Sequence, residues 1–404
     1  MEIRLSREPT LYRARYLIPV IGRPLENGAL ISVEGRIIDV GPYTKVKKGH
    51  LGPEQDLGEV ALLPALVNVH THLELSALKW RLTPSGSFVS WVKNLLRVRS
   101  NIKAEEFVKA ARQALKSMWH EGIGLLGDHG NTGLSISLLR ESPLTAVFFR
   151  EVIDFQGKSS LKDYLKDHLN DPKITFSLAP HAPYTVSPLL LQAIKAWTKK
   201  YNLPFSLHVA ESPEEVEFLM TGKGPIRELL EGRGQWSASF VAPGLRPVKY
   251  LDRLGILDED TICVHLSQAT EKEISLLSRR RARPCICLRS NTFLGVGIPK
   301  VNLMLKLGLK PCLGTDSLAS NDKLSILAEM ATVHRFFPEI SPEIIFKMAT
   351  IWGAEALKQQ GIGYIAPGAR ADLLIYQLPQ RVPLKDLFSC IVTQPPEQLG
   401  RLYG

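Results

Sequence analysis

Two histidines stand two residues apart where an apolar run ends. The run covers residues 61–69 and leads into His70 and His72. On a strand, residues two apart point to the same side, so both imidazoles can reach one point. Neutral imidazole is the commonest metal-binding side chain, which makes a metal site one interpretation of this pair. The pair alone is a weak signal, and its meaning depends on the rest of the chain.

Polar residues also follow four later apolar runs. They are His181 after 174–180, His208 and Glu211 at the end of 204–210, His265 at the end of 261–265, and Asp316 after 310–315. In a parallel barrel the chemistry sits at the carboxyl ends of the strands. Five strand ends that all carry His or Asp are hard to explain by chance, whereas His120 and His334 on predicted helices suit structural roles.

These residue types indicate a hydrolytic metal site. Imidazoles with one carboxylate and an open position suit catalytic zinc, with ferrous iron as second choice. A bound cation lowers the pKa of its water to around 7. Glu211 can carry the released proton to a leaving group, and Asp316 can bind metal, accept that proton, or do both. His265 can hold the hydroxide or polarise the substrate, so the pattern favours attack at an electrophilic sp² carbon.

The surrounding elements predict an α/β fold. Residues 1 to about 60 read as short strands with turns, and a strand over 371–376 returns after a turn-rich piece at 361–368. In between, further strand runs at 123–127, 145–153 and 284–288 complete eight strands that alternate with amphipathic helices. Those helices are predicted over 103–120, 187–201, 213–221, 269–280 and 322–336. Eight such units favour a (β/α)8 barrel, with a doubly wound sheet as the alternative.

Composition limits the functional classes. The 404 residues are 45% apolar and 22% charged, as in soluble globular proteins, and the chain lacks an apolar run long enough for a membrane span. Five cysteines, an odd number at low density, and an N-terminus without a signal core favour a cytoplasmic protein with reduced thiols. The net charge of +10 comes from dispersed basic residues, which indicates a solvated surface rather than nucleic-acid binding.

Taken together, the motifs resemble the amidohydrolase superfamily, in its mononuclear aminohydrolase branch. They run in the family's order along nearly the whole chain, at residues 67–72, 208–211, 264–267, 289–291, 314–321 and 365–373. The resemblance implies a distorted (β/α)8 TIM barrel over residues 61–360. It also implies a small β-sandwich formed by both termini, residues 1–60 plus 361–404.

The same resemblance assigns roles at the site. It implies metal on His70, His72, His208 and Asp316, proton shuttling by Glu211, and contact of His265 with water or substrate. Hydantoinase-like branches carry a bridging lysine at the fourth strand, whereas here that strand ends in His181. We therefore expect one divalent metal, zinc before iron, and not two.

Shorter sequence segments narrow the choice of possible substrates. Residues 71–76, 88–92 and 149–152 look like those of aminodeoxyfutalosine deaminases, which belong to the alternative menaquinone pathway. We therefore predict a deaminase that releases ammonia from C6 of an aminopurine nucleoside. The alternatives are S-adenosylhomocysteine or methylthioadenosine deamination, or another aminohydrolase or chlorohydrolase reaction. A non-catalytic nucleic-acid-binding protein is disfavoured, because a structural zinc site has no use for a proton shuttle.

Candidate substrate-binding residues each have a structural alternative. Glu74 could bind a purine edge or ribose, or form a salt bridge, and His181 could bind ribose or base. Arg150 and Arg289 could pair with a substrate carboxylate, such as the benzoate of aminodeoxyfutalosine, or with internal acids. Trp91 could stack or simply pack. The predicted partner is a small molecule, without nucleic acid or membrane; many family members are dimers, so a homodimer stays open.

Overall fold

The computed structural model describes residues 2–165, 171, 173–379, 382–394, 396 and 399–404. The strands are β1 Glu2–Arg4, β2 Thr10–Leu17, β3 Leu25–Val33, β4 Arg36–Pro42, β5 Glu54–Asp56, β6 Val60–Pro64, β7 Leu66–Thr71, β8 Ile123–Gly130, β9 Thr145–Val152, β10 Ile174–Pro180, β11 Phe205–Val209, β12 Thr261–His265, β13 Arg283–Ile286, β14 Cys312–Leu313, β15 Leu373–Gln377 and β16 Leu399–Tyr403.

The helices alternate with the strands through the middle of the chain. They are α1 Tyr43–Lys48, α2 Phe88–Arg99, α3 Ala104–His120, α4 Leu134–Glu141, α5 Leu161–Tyr164, α6 Pro188–Lys200, α7 Pro213–Thr221, α8 Pro225–Gly232, α9 Pro247–Arg253, α10 Glu271–Arg280, α11 Leu288–Leu294, α12 Val301–Lys306, α13 Ile326–Phe336, α14 Pro342–Met348, α15 Ile351–Ala356 and α16 Leu387–Thr393, with 3₁₀ turns at Leu73–Leu78 and Leu384–Asp386. Within the described ranges, no helix is both long and apolar enough to cross a membrane.

The chain divides into two compact units. One comprises Met1–Val67, Met118–Leu125 and Ile326–Gly404, and the other comprises Asn68–Ser117 and Leu126–Ser325. The first unit contains a mixed sheet in the order β1-β16-β15-β6-β2-β3-β4, with β5 paired to β2. Strands from both ends of the chain thus share one sheet. Its β3–β4 hairpin turns at Glu34 and Gly35, which both have positive φ, as a tight hairpin requires.

Eight further strands form the (β/α)8 part of the fold. They are hydrogen-bonded as two four-stranded sheets, in the orders β10-β9-β8-β7 and β11-β12-β13-β14. At the ends of β10 and β11, the backbone N–H of His208 donates to His181 O at 2.9 Å. At the ends of β7 and β14, Thr71 and Asp316 form a parallel bridge. The carboxyl ends of the strands are therefore brought together around one centre.

The first predicted strand is in fact two strands. Residues 61–69 were expected to form one, but Val60–Pro64 pairs antiparallel with β15, and Leu66–Thr71 belongs to a sheet of the barrel. Between them, the N–H of Ala65 donates to Asp372 O at 3.0 Å. Pro64 has no N–H to continue a ladder, which explains a change of partner here. The predicted strand over 123–127 also continues to Gly130 and so includes Asp128 and His129.

Helix α6 illustrates how the sequence pattern produces the outer layer. Its buried positions include Leu190, Leu191, Ile194 and Thr198, the spacing of one helical face. Pro188 occupies its first turn, where the missing N–H costs no hydrogen bond. All five cysteines are buried and unbridged, which agrees with their interpretation as reduced thiols.

Candidate active site and metal centre

Four side chains from three strand ends converge on one point. His70 lies on β7 and His72 directly follows that strand, His208 lies on β11, and Asp316 follows β14. The Nε2 atom of His208 lies 3.2 Å from His70 Nε2 and 3.3 Å from His72 Nε2. The Oδ1 atom of Asp316 lies 3.9 Å from His70 Nε2 and 3.7 Å from His72 Nε2. The two histidines two residues apart therefore do share a target, as the strand geometry predicted.

Hydrogen bonds behind three of these groups fix their orientation. The Nδ1 atom of His72 lies 3.1 Å from His129 O, and that of His208 lies 2.7 Å from His181 O. An Nδ1–H that donates to a carbonyl leaves the Nε2 lone pair directed at the centre. Asp316 Oδ2 accepts from Ser290 Oγ at 2.5 Å and from Ser320 Oγ at 2.8 Å. Its Oδ1 is thereby turned toward the imidazoles.

This donor set fits one divalent cation. Ligand atoms placed about 2.1 Å from a tetrahedral zinc ion lie about 3.4 Å apart, close to the separations found here. Burial lowers the pKa of His70 and of His208, and it lowers the pKa of His72 to about 4. The imidazoles are therefore neutral at neutral pH, the state in which they bind metal. Three imidazoles and one carboxylate suit zinc, with iron second.

The backbone joins the first and last strands of the barrel at this centre. The N–H groups of Thr315 and Asp316 both donate to His70 O at 3.0 Å. Asn68 accepts from Thr315 N at 3.1 Å and donates through Nδ2 to Thr315 Oγ1 at 2.8 Å. Gly314 is needed at this close approach, because a Cβ there would lie 2.8 Å from His70 Cβ. The position of Asp316 relative to His70 is thus fixed by main-chain contacts.

Glu211 and His265 stand beside the four convergent groups. Glu211 Oε1 lies 3.5 Å from His265 Nε2, and His265 Nδ1 lies 2.8 Å from Asn291 Oδ1. Burial raises the pKa of Glu211 to about 8, into the range in which a carboxyl group can act as both an acid and a base near neutral pH. Glu215 accepts from the backbone N–H of Glu211 at 2.8 Å and from that of Ala210 at 3.0 Å.

Backbone strain is concentrated at the same strand ends. Ala210, His265, Leu266 and Asp316 all have φ between 53° and 74°, a region that residues other than glycine rarely adopt. Such conformations persist only where the surrounding structure imposes them, and they cluster at functional sites. The hydrogen bonds that Glu215 accepts from the N–H groups of residues 210 and 211 supply part of that restraint.

A cavity of about 210 Å³ opens onto these groups. One side, which we call the strand-end region, consists of His72, His208, Glu211, His265 and Asp316. The opposite side, which we call the helix wall, consists of cavity-lining residues of α2 and α8. These are Phe88, Val89, Trp91, Val92, Leu95, Leu96, Arg99, Ile226, Leu229 and Leu230. A polar reacting end and an apolar wall suit a mostly apolar ligand with one reactive polar edge.

Three of the five predicted substrate-binding residues line this cavity. His181 does so with its Nδ1 3.0 Å from Thr185 Oγ1. Trp91 is 7% exposed, and its Nε1 has no hydrogen-bond partner among the described residues. Glu74 also lines the cavity, but its carboxylate accepts from the N–H groups of residues 131–134 at 2.8–3.2 Å. Its contacts therefore match the structural alternative, because the loop amides are joined by an ion pair with Arg99 at 4.0 Å.

The two predicted arginines lie elsewhere. Arg289 pairs with Asp322, and its Nε donates to Asn321 Oδ1 at 3.1 Å, which matches the ion-pair alternative. Arg150 precedes Glu151 on β9, and neighbouring strand residues point to opposite faces. The described lining of the cavity includes Glu151 and not Arg150.

Sequence reasoning overlooked several lining residues. Glu151 was passed over for its neighbour Arg150, and His129 lay just beyond the predicted end of its strand. Both are buried and face the cavity from strand ends. Arg99 lines it from α2, where its Nη2 donates to Asn131 Oδ1 at 3.1 Å. The alternation of residues along β9 could have identified Glu151, and a longer β8 could have identified His129.

Comparison with known proteins places this geometry in a family. Residues 61–395 match the model of the amidohydrolase family. A 5-methylthioadenosine/S-adenosylhomocysteine deaminase of Thermodesulfovibrio yellowstonii is 29% identical over 95% of this chain and 88% of its own length.

Two solved structures are also similar. Aminofutalosine deaminase of Helicobacter pylori, crystallised with methylthio-coformycin, has a TM-score of 0.85 at 26% identity, over 96% of this chain and 97% of that one. An adenosine deaminase from Xanthomonas campestris with bound zinc has a TM-score of 0.78 at 25% identity, over 96% and 90% of the two chains.

Proposed function

The chain belongs to the amidohydrolase family and is a hydrolytic deaminase of adenosine-like nucleosides, and we propose that its substrate is 6-amino-6-deoxyfutalosine. This substrate is an aminopurine nucleoside that carries a benzoate. It would place the enzyme in menaquinone synthesis by the futalosine route, in the cytoplasm, where the five unbridged cysteines stay reduced.

The observation that carries this proposal is the composition of the helix wall. Phe88, Trp91 and Leu95 from α2 and Leu230 from α8 offer an apolar surface for an aromatic group. Arg99 at the end of α2 and Arg233 just after α8 line the same cavity. Guanidinium groups suit a carboxylate, so the benzoate contact is expected at these arginines and not at Arg150 or Arg289.

The two arginines do not contribute equally. Arg99 Nη2 lies 4.0 Å from Glu74 Oε2, so part of its charge is balanced within the protein. Arg233 is exposed, and its Nε donates to Gln235 Oε1 at 3.4 Å. Arg233 is therefore the stronger candidate for a carboxylate that reaches the solvent side of the cavity.

The strand-end region supports hydrolysis at C6 of the purine. His70, His72, His208 and Asp316 would hold one divalent metal, which when bound supplies the Lewis acidity that activates water. Glu211 would accept one proton of the attacking water and donate it to the ring nitrogen. It would then carry the second proton of that oxygen to the amino group, which leaves as ammonia as the C6–N bond breaks. His265 lies 3.5 Å from Glu211 and would orient the attacking oxygen or the substrate.

The test is ammonia release by metal-loaded protein from a panel of compounds. The panel contains aminodeoxyfutalosine, S-adenosylhomocysteine, methylthioadenosine, adenosine, guanine and cytosine. Two results together support the proposal. Wild type clearly prefers aminodeoxyfutalosine, and Arg233→Gln lowers turnover of aminodeoxyfutalosine about tenfold or more while leaving methylthioadenosine turnover unaffected. A preference for another compound refutes this substrate, and absence of ammonia from every compound refutes deamination of these substrates.

Methylthioadenosine or S-adenosylhomocysteine is the second candidate. The Thermodesulfovibrio yellowstonii relative bears the name of that activity, and it is 29% identical to this chain. The apolar helix wall would also accept a thioether, because burial of apolar surface does not depend on direction. In this case Arg233→Gln leaves methylthioadenosine turnover unchanged, and aminodeoxyfutalosine is the poorer substrate of the wild-type enzyme.

A further inference from the structure

Glu151 is a buried carboxyl group whose position is not explained by its contacts. It lies near the end of β9, is 6% exposed, and lines the cavity. Its Oε1 atom has no hydrogen-bond partner among the described residues. An unpartnered buried oxygen destabilises a fold, and an apolar side chain of similar size would remove that cost. A carboxyl kept under these conditions indicates a role with a ligand.

Glu74 and Glu151 differ in the hydrogen-bond partners of their carboxyl groups. Both carboxyl groups are buried and line the same cavity, but Glu74 is held by the loop amides of residues 131–134. Glu74 therefore has a structural use that accounts for its burial. Glu151 has a buried oxygen without such a use, in a side chain that lines the space that a substrate would fill.

The location of Glu151 identifies which part of a substrate it would meet. One of its oxygens lies within 4.8 Å of ring nitrogens of both His72 and His208. It is therefore close to the reacting carbon and remote from the solvent side of the cavity. Glu211 approaches from β11, and β10, which ends just before His181, separates that strand from β9. The two acids thus reach the reacting carbon from different sides.

We propose that Glu151 is a substrate-binding residue that hydrogen-bonds the imidazole-ring edge of the purine, at N7 and the 6-amino group, while Glu211 serves the N1 side. This inference rests on the proposed deaminase function. A 6-aminopurine has two ring nitrogens, N1 and N7, that flank the amino-bearing carbon. A carboxyl group matches the N7 side, because it can donate to N7 or accept from the amino N–H.

The test combines changes in the protein with a change in the substrate. Rates are measured for wild type, Glu151→Gln and Glu151→Ala with whichever of methylthioadenosine or aminodeoxyfutalosine the wild type deaminates faster, and with its 7-deaza counterpart. We expect Glu151→Ala to lower kcat/KM about 10- to 100-fold for the natural ring. We expect Glu151→Gln, which keeps a donor and an acceptor, to retain most of the rate.

The decisive result is the penalty for removing N7. Wild type and Glu151→Gln should have a lower kcat/KM for the 7-deaza substrate than for the natural one. The ratio of the two values, natural over 7-deaza, should be about tenfold smaller in Glu151→Ala. Any intrinsic change in ring reactivity affects all three proteins equally and so cancels. An unchanged ratio in Glu151→Ala overturns the proposal.

Two further measurements distinguish the rival roles. If Glu151 binds ribose, the penalty for a 2′-deoxy or 3′-deoxy substrate, and not that for 7-deaza, disappears in Glu151→Ala. If it is a metal ligand, the variant loses bound metal. Either result overturns the proposal without affecting deamination by the wild type. If wild type deaminates neither nucleoside, it is the proposed function that fails.

Thermal stability supplies a matched control. Glu74→Gln should lower the melting temperature, because it disrupts a carboxylate that accepts several backbone N–H groups. Glu151→Ala should lower it less, and Glu151→Gln should leave it unchanged or raised. If the Glu151 variants lower the melting temperature more than Glu74→Gln does, Glu151 is structural, and its assignment to the substrate is overturned.

Discussion

The strand-end region and the helix wall face the same cavity but are built by different interactions. In the strand-end region, His72 and His208 each have a carbonyl behind Nδ1, and Asp316 is held by two serine hydroxyls. On the helix wall the lining side chains are mostly apolar. Hydrogen bonds fix direction, whereas apolar contacts do not. The first region therefore sets the reaction, and the second sets which substrates are accepted.

The largest effect is expected from removing a ligand in the strand-end region. His208→Ala should lower bound metal from about one equivalent to nearly none and lower kcat about 10⁴-fold or more. Metal analysis and ammonia release measure both quantities. After chelation, added zinc should restore the turnover of wild type and not that of the variant. A variant that keeps its metal and its turnover would show that the convergence of these side chains has another purpose.

Glu211→Gln should separate catalysis from metal binding in the same region. The amide cannot take up or release the proton, so kcat should fall about 10²- to 10⁴-fold with the metal still bound. Steady-state rates and metal content on the same sample decide the outcome. Turnover near that of wild type, with metal present, would remove Glu211 from the mechanism.

Asp128→Asn tests how the strand-end region is supported. Asp128 accepts from Leu73 N at 2.9 Å and from Ser135 Oγ at 2.5 Å, and burial raises its pKa from 3.8 to about 7. The folded state therefore holds this proton to higher pH than the unfolded state does. Its contribution to stability is fully present below about pH 4 and is lost as the pH rises through about 7.

The asparagine variant cannot ionise and should lack this dependence. Relative to wild type, its stability should increase between pH 4 and pH 8 by on the order of 4 kcal/mol. Melting temperatures of both proteins at several pH values, at equal metal content, measure the difference. A gap between the two melting temperatures that does not change with pH would show that Asp128 is ionised throughout.

The smallest effect is expected on the helix wall. Trp91→Phe removes an unpartnered N–H and some apolar area, so KM should rise about three- to tenfold while kcat changes less than about twofold. The kinetic constants for the preferred panel substrate are the measurement. A loss of kcat comparable to that of Glu211→Gln would place Trp91 with the reacting groups and break the division between the two regions.

The same division explains what the sequence could reveal. Polar residues at the ends of apolar runs are unusual in a core, so His70, His208 and Asp316 are recognisable from the amino-acid sequence alone. The apolar residues of α2 follow the spacing of any core-facing helix, and no pattern distinguishes a cavity wall from a packing surface. Recognition of Glu151 required the phase of its strand, and recognition of His129 required the length of its strand. Tertiary pairing determines both properties.

Secondary structure was predictable to a similar degree. Helix α7 was predicted over its observed range, Pro213–Thr221, because Ser212 and Pro213 provide a clear start. The change of partner at Ala65 was not predictable, because Val60–Pro64 and Leu66–Thr71 form one continuous, mostly apolar run although they join different sheets. Local sequence determines where a strand can form, and long-range contacts decide which strand it joins.

The bridge between Thr71 and Asp316 also has a consequence for biosynthesis. These residues are 245 positions apart, yet Asp316 completes the set of side chains that begins with His70. A ribosome must therefore synthesise all eight strands β7 to β14 before the fourth donor exists, and this high contact order makes assembly of the centre a late step. We expect that chains released before residue 316 hold zinc poorly, and that metal supply acts on completed chains rather than on nascent ones.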